Sequence, residues 1–148
     1  DVPADQAGGT DLFNRIMVPV DLAHVETLDR ALSCAADLGR QYDATIIYVG
    51  VTAETPGAVA HTPQEFAAKM TAFAQQQSEA TGARTAGVGL TSHDPAADLD
   101  PTLLKAVEET GADLVVMASH VPNITDYIWP SNGGTVARRA NVSVMVVR

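Results

Sequence analysis

Hydrophobic positions along the chain follow two alternating periods. Continuous apolar runs fall at residues 15–20 (RIMVPV), 44–51 (ATIIYVGV), 113–119 (DLVVMAS) and 143–147 (SVMVV). Runs without polar alternation are the mark of strands covered on both faces. Pro19 is expected to end the first strand, because it cannot donate to a central ladder. Between the runs, apolar residues recur at threes and fours. Val25, Leu28, Leu32 and Ala35, widened by Ala31 and Leu38, predict a helix over 25–40 with Glu26, Asp29, Arg30, Asp37 and Arg40 mostly outside the stripe. A second helix is expected from Thr62 as cap and Pro63 as first residue, with Glu65 in the first turn and Phe66, Met70 and Phe73 on the stripe. Gly82 should stop it. Asp100 before Pro101 predicts the start of a third helix carrying Leu103, Leu104 and Val107 to Gly111. A last helix is expected to begin near Ser131.

Residues 85–90 read as a weaker strand. Gly87 and Gly89 interrupt it, and it is assigned to a sheet edge because interior glycines pack little. Residues 52–62, with Pro56 and Gly57, have no period and read as a loop. Residues 1–12 also lack one and read as a mobile leader, so the folded domain is expected over 13–148. Five strands alternating with four helices imply a three-layer α/β/α fold around a parallel sheet, since parallel strands need crossover helices.

In such sheets ligands sit beyond the carboxyl ends of the strands. That selects Pro19, Val20 and Asp21 after the first strand, Val49 to Val51 ending the second, and the segment 118–131 after the fourth. The last is a long polar connection leading into Ser131, Asn132, Gly133 and Gly134, and connections of that length in compact domains are usually functional. Taken alone, Asp21 is more commonly a helix N-cap than a ligand contact, and Ser131 has the same reading.

Composition sets limits on what this site could serve. A chain of 148 residues, 46% of them hydrophobic, supports one domain that needs neither disulfides nor a structural metal. The net charge of −9 disfavours nucleic acid and anionic membrane surfaces as partners. No apolar run approaches the roughly 18 to 20 residues of a membrane span, and the polar start lacks signal-peptide features. A soluble cytoplasmic protein is the expectation. His24, His61 and His93 are scattered over loops without ligand spacing, so no metal site is expected. Cys34 reads as a small buried hydrophobe. Trp129 either packs the long loop or covers a ligand. Arg138 and Arg139 suit the C-terminal dipole of the last helix before they suit a phosphate. The two lysines, Lys69 and Lys105, lie on helices, and there is no Gly-rich Lys-Ser loop, Ser-His-Asp order or carboxylate pair. A phosphoryl-transfer enzyme is therefore not expected beyond slow ATP hydrolysis. A phosphate-receiver domain would need an acidic partner for Asp21 and a lysine after the last strand.

The runs IMVPVD, GADLVVMASH and NVSVMVVR together resemble the universal stress proteins along roughly residues 13–148. More narrowly, SHVPNITDY followed by Ser131-Asn132 is similar to the branch that includes universal stress protein F and the stress proteins associated with TRAP-type transporters. The resemblance implies strand order 3-2-1-4-5, a homodimer joined through Ser143 to Val147, and a bound adenine nucleotide. ATP comes first, AMP and ADP are the alternatives, and Mg2+ is a companion ion. The family's phosphate motif is Gly, two residues, Gly, nine residues, then Gly followed by Ser or Thr. By position its glycines fall on Ala118, Val121 and Pro130, the last after only eight residues, while Ser131 keeps the hydroxyl. Gly134-Thr135 could imitate the final pair but lies too near the last strand. Loss of those glycines removes the usual close backbone approach, leaving the amides of Asn132 and Gly133 and the Ser131 hydroxyl to meet an anion. Ala118, Ser119 and His120 begin that loop, with His120 a donor when protonated. The resemblance also implies that Asp21 accepts from the ribose, that Val49 meets adenine through its backbone, and that Pro19 and Val20 line the base pocket. The leading expectation is an ATP-binding homodimeric regulator of the stress response, with a membrane transporter or another protein as client. A nucleotide-free dimeric scaffold comes second and an enzyme third.

Overall fold

Five strands, β1 (Arg15–Pro19), β2 (Thr45–Ala53), β3 (Arg84–Ser92), β4 (Leu114–Ala118) and β5 (Ser143–Val147), make one parallel sheet in the order β3-β2-β1-β4-β5. The computed structural model describes residues 12–119 and 132–148. Four helices cross between strands: α1 (Asp29–Tyr42), α2 (Pro63–Thr81), α3 (Pro95–Thr110) and α4 (Asn132–Arg139). One core, containing Ile16, Val18, Ile46 and Tyr48, lies under α1 and α2. The other, containing Met17, Ile47, Val49 and Val115, lies under α3 and α4. Neighbouring residues of β1 thus feed opposite cores, as the continuous apolar runs imply.

Local chemistry explains where the elements begin. Thr62 is extended, and its hydroxyl accepts the Glu65 amide at 3.0 Å. The Glu65 carboxylate returns to accept the His61 amide at 3.0 Å, a reciprocal cap of the capping-box type. Gly82, at φ 78°, closes α2 in the left-handed region. Asp43 ends α1 the same way at φ 53°.

Four expectations are corrected. The helix predicted over 25–40 is split at Leu28, which leaves the helical region (φ −100°, ψ 3°): a 3-10 segment, Leu22–Leu28, itself kinked at His24 (φ −136°, ψ 42°), precedes α1. The third helix starts at Pro95, not after Asp100, and Pro101 sits inside it. Its buried stripe of Leu99, Leu103, Ala106 and Val107 already begins before that proline, which is exposed and gives up a single amide bond. β3 does occupy an edge, but its glycines do not pack loosely. A Cβ on Gly87 would stand 2.1 Å from the Met70 carbonyl oxygen, and one on Gly89 would stand 3.0 Å from Ala67 Cα. Glycine lets α2 lie directly on the edge strand. β5 departs from two-face burial as well: it is the other edge, with Met145 38% and Val146 41% exposed.

Candidate functional site

β1 ends at Pro19, paired in register with Val49, while β2 and β3 run on together to Ala53 and Ser92. The sheet is therefore stepped, and the chain leaving β1 turns beside the wall formed by the last residues of β2. The Val20 amide donates to the Val49 carbonyl at 2.8 Å, so the backbone of this turn is tied to β2. On the other side β4 runs parallel to β1, pairing Leu114 with Ile16 and Val115 with Met17. The helices that follow β1 and β4 pack on opposite faces of the sheet, and such a parting of neighbouring strands is where α/β sheets hold ligands.

Asp21 follows at once. It is only 8% exposed, and with Ser92 it is one of two buried polar residues among the described residues. Its Oδ1 accepts the Ala23 amide at 3.0 Å, and its Oδ2 stands 3.0 Å from His24 Nδ1. The Asp21 carbonyl accepts the His24 amide at 3.0 Å, and the His24 carbonyl accepts the Thr27 hydroxyl at 2.7 Å. Asp21 thus caps the 3-10 segment, the commoner role of such a residue. A carboxylate offers about four lone-pair sites, so capping and His24 leave two unspent.

Pro19, Val20, Asp21 and Val49 are brought together. Val49 is fully buried within β2 rather than at its tip, and its carbonyl already serves Val20. Ala118 ends β4 and pairs with Val147 of β5. The Ser119 amide donates to the Val147 carbonyl at 2.8 Å. That amide belongs to the sheet ladder and is spent there, so a phosphate would have to be met by groups beyond it. Asn132 and Gly133 open α4. His120, Val121, Trp129, Pro130 and Ser131 lie outside the described residues.

His24 is the residue that sequence reasoning passed over: it does not lie free on a loop but reaches back three residues to Asp21. The only signal available beforehand was that i, i+3 spacing behind a strand-end aspartate. Tyr48 was equally invisible. Burial pushes its phenol up to about 12, its hydroxyl has no partner among the described residues, and its ring meets Phe73 edge-on at 5.2 Å. Glu65 is held below the usual carboxylate range, first by the His61 amide, which outweighs an opposing effect of desolvation, and then by the charges of Lys69 and His61 and a hydrogen bond from Lys69. Among the described residues no three of His, Cys, Asp or Glu are grouped to hold a metal ion, and no helix is long and apolar enough to cross a membrane.

Known proteins share both the sequence and the frame. The model of the universal stress protein family matches residues 12–148. Universal stress protein G of Salmonella typhimurium is 32% identical over 146 residues, spanning 93% of this chain and all of that one. A universal stress protein solved in complex with cAMP superposes with a TM-score of 0.64 at 18% identity, over 93% of this chain and 98% of the other. The universal stress protein from Archaeoglobus fulgidus in complex with dAMP gives 0.63 at 19% identity, over 93% and 99%. With the family match running from ahead of β1 to the end of β5 and the strand order the same as the fold requires, the chain belongs to the universal stress protein family.

Proposed function

We propose that this protein binds an adenine nucleotide, ATP in first place, in the crevice at the carboxyl ends of β1 and β4, and acts as a homodimeric regulatory module. The observation that carries this reading is Asp21: a buried carboxylate at the end of β1, oriented by two donors and still able to accept two more hydrogen bonds. A ribose diol supplies two. Val49 would meet the base through its backbone, with Pro19 and Val20 beside it. Ala118, Ser119, His120, Ser131, Asn132 and Gly133 would surround the phosphates, and Mg2+ would accompany a triphosphate. Because the Ser119 amide is tied to Val147, the phosphate contacts fall to side chains and to amides at the start of α4, where the helix dipole favours an anion. Two structural relatives hold dAMP and cAMP, which supports an adenine nucleotide over other ligands.

The dimer would form through β5, whose outer edge carries exposed Met145 and Val146. The placement beside universal stress protein F and the transporter-associated branch, a transporter or other protein client, a stress-response role and a cytoplasmic location belong to the same reading. One feature favours a nucleotide-free scaffold instead: Ala118 stands where the family motif has its first glycine, and the next amide is already bonded.

The experiment is mass spectrometry of ligand released from purified, denatured protein, followed by calorimetry with ATP, ADP and AMP. Retained adenine nucleotide or measurable heat supports the proposal. No retained nucleotide and no heat with any of the three overturns it in favour of the scaffold.

A further inference from the structure

We propose that His24 is a positioning residue that aims the Asp21 carboxylate at the ribose and so sets how strongly the protein discriminates for ribose hydroxyls. This rests on the reading of Asp21 as the ribose acceptor.

A carboxylate can only accept, so at 3.0 Å from Oδ2 the His24 Nδ1 must carry the hydrogen. His24 is also held from both sides of its own backbone, by its amide on the Asp21 carbonyl and by the Thr27 hydroxyl on its carbonyl. In that non-helical conformation its ring, 15% exposed, lies back against Asp21. The consequence concerns the plane of the carboxylate. Rotation of an aspartate about its last torsion is broad and roughly two-fold. The Ala23 amide anchors Oδ1 alone and leaves the group free to turn about that anchor. His24 anchors Oδ2 and fixes the plane, leaving one lone pair on each oxygen. Two acceptors held side by side on a fixed plane match the two donors of a vicinal cis-diol. Groups held in this way lose less freedom when a ligand arrives.

The test compares AMP with 2′,3′-dideoxy-AMP by calorimetry on the wild type, H24A, H24N and H24Q, each checked for folding by circular dichroism. The amide of asparagine can take the place of Nδ1, whereas that of glutamine reaches toward the position of Nε2. H24A is expected to lose about tenfold in affinity for AMP, the low end for a hydrogen bond to a charged group, with little change for the dideoxy analogue. H24N should keep the ratio of the two affinities and H24Q should not. If H24A does not fold, the contrast between H24N and H24Q carries the test. Equal losses for both ligands, or equal behaviour of H24N and H24Q, overturn the positioning role. A wild type that binds AMP no better than its dideoxy analogue, or binds neither, overturns the assignment of Asp21 to the ribose and this inference with it.

Discussion

Replacing Gly87 with alanine tests how the edge strand is held to the rest of the molecule. The added Cβ would lie 2.1 Å from the Met70 carbonyl oxygen, 2.5 Å from its carbonyl carbon and 2.9 Å from the Thr71 nitrogen. Comfortable non-bonded separations begin at about 3.5 Å, so the shortfall is about 1.4 Å. The obstacle is helix backbone, which has no rotamer to change, and α2 must lift away from β3. Phe66, Met70, Phe73 and Ala74 ride on that helix into the core, so the lift loosens their packing too. Overpacking costs about 1 to 3 kcal/mol, and a backbone obstacle puts Gly87→Ala near the top. Relief of glycine's entropy penalty returns about 0.5 to 1 kcal/mol. The net loss is about 2 to 2.5 kcal/mol, which for a domain of this size lowers Tm by about 4 to 10 °C. Urea and thermal unfolding followed by circular dichroism would measure it. Gly89→Ala, facing Ala67 Cα at 3.0 Å, should cost less, and Gly57→Ala, with nothing within 4 Å, should stay within about 0.5 kcal/mol. A Gly87→Ala protein that melts within about 2 °C of wild type would refute the close-approach reasoning.

Three further outcomes follow from the same contacts. Glu65 titrates below its ordinary 4.5 in the folded protein, so its contribution to stability is present above that value and is lost as pH falls through the folded pKa; urea midpoints of wild type and E65Q should therefore converge in acid, and parallel curves across pH 3 to 6 would count against the His61 contact. Tyr48→Phe should be neutral or mildly stabilising, because it removes a buried hydroxyl with no partner among the described residues; a loss above about 1 kcal/mol in denaturant melts would show that the hydroxyl is satisfied after all. Met145→Asp places a charge on the exposed edge of β5 and should convert a dimer to monomer in light scattering, whereas a wild type already monomeric at high concentration would remove the β5 pairing.

Much of the fold was legible because burial on two faces writes a continuous apolar run, and β1, β2 and β4 are such strands. Helix α2 was legible to the residue, since Thr62, Pro63 and Gly82 act through bonds to their immediate neighbours. What was not legible depended on partners distant in sequence. Asp100-Pro101 on its own predicts a helix start, yet the burial of Leu99 against the second core draws the helix back to Pro95. The glycines of β3 marked an edge for a mistaken reason: an absent side chain can mean loose packing or an approach too close for any side chain. Only the position of the Met70 carbonyl tells these apart.

The candidate site divides along the same line. The end proposed for the ribose is local: Asp21, Ala23, His24 and Thr27 settle one another within a few residues, and the turn is pinned to β2 by one long-range bond from Val20 to Val49. Strand-end position together with the family resemblance points to Asp21, but not to the contact with His24, which requires the broken 3-10 turn. The end proposed for the phosphates is set by register. Whether the Ser119 amide is free depends on how β4 pairs with β5, and that pairing commits it to Val147. A motif read by spacing counts Ser119 as an available donor, whereas the sheet does not. On the proposed reading, discrimination among ligands should originate at Asp21, whose acceptors are held by the Ala23 amide and His24, while phosphate affinity must come from beyond the ladder. That division predicts that changes at His24 act on hydroxyl recognition and leave the response to phosphate number unaltered, which calorimetry with AMP, ADP and ATP on H24A would show as an unchanged ratio among the three. A changed ratio would mean that the two ends are coupled through His24 rather than separate.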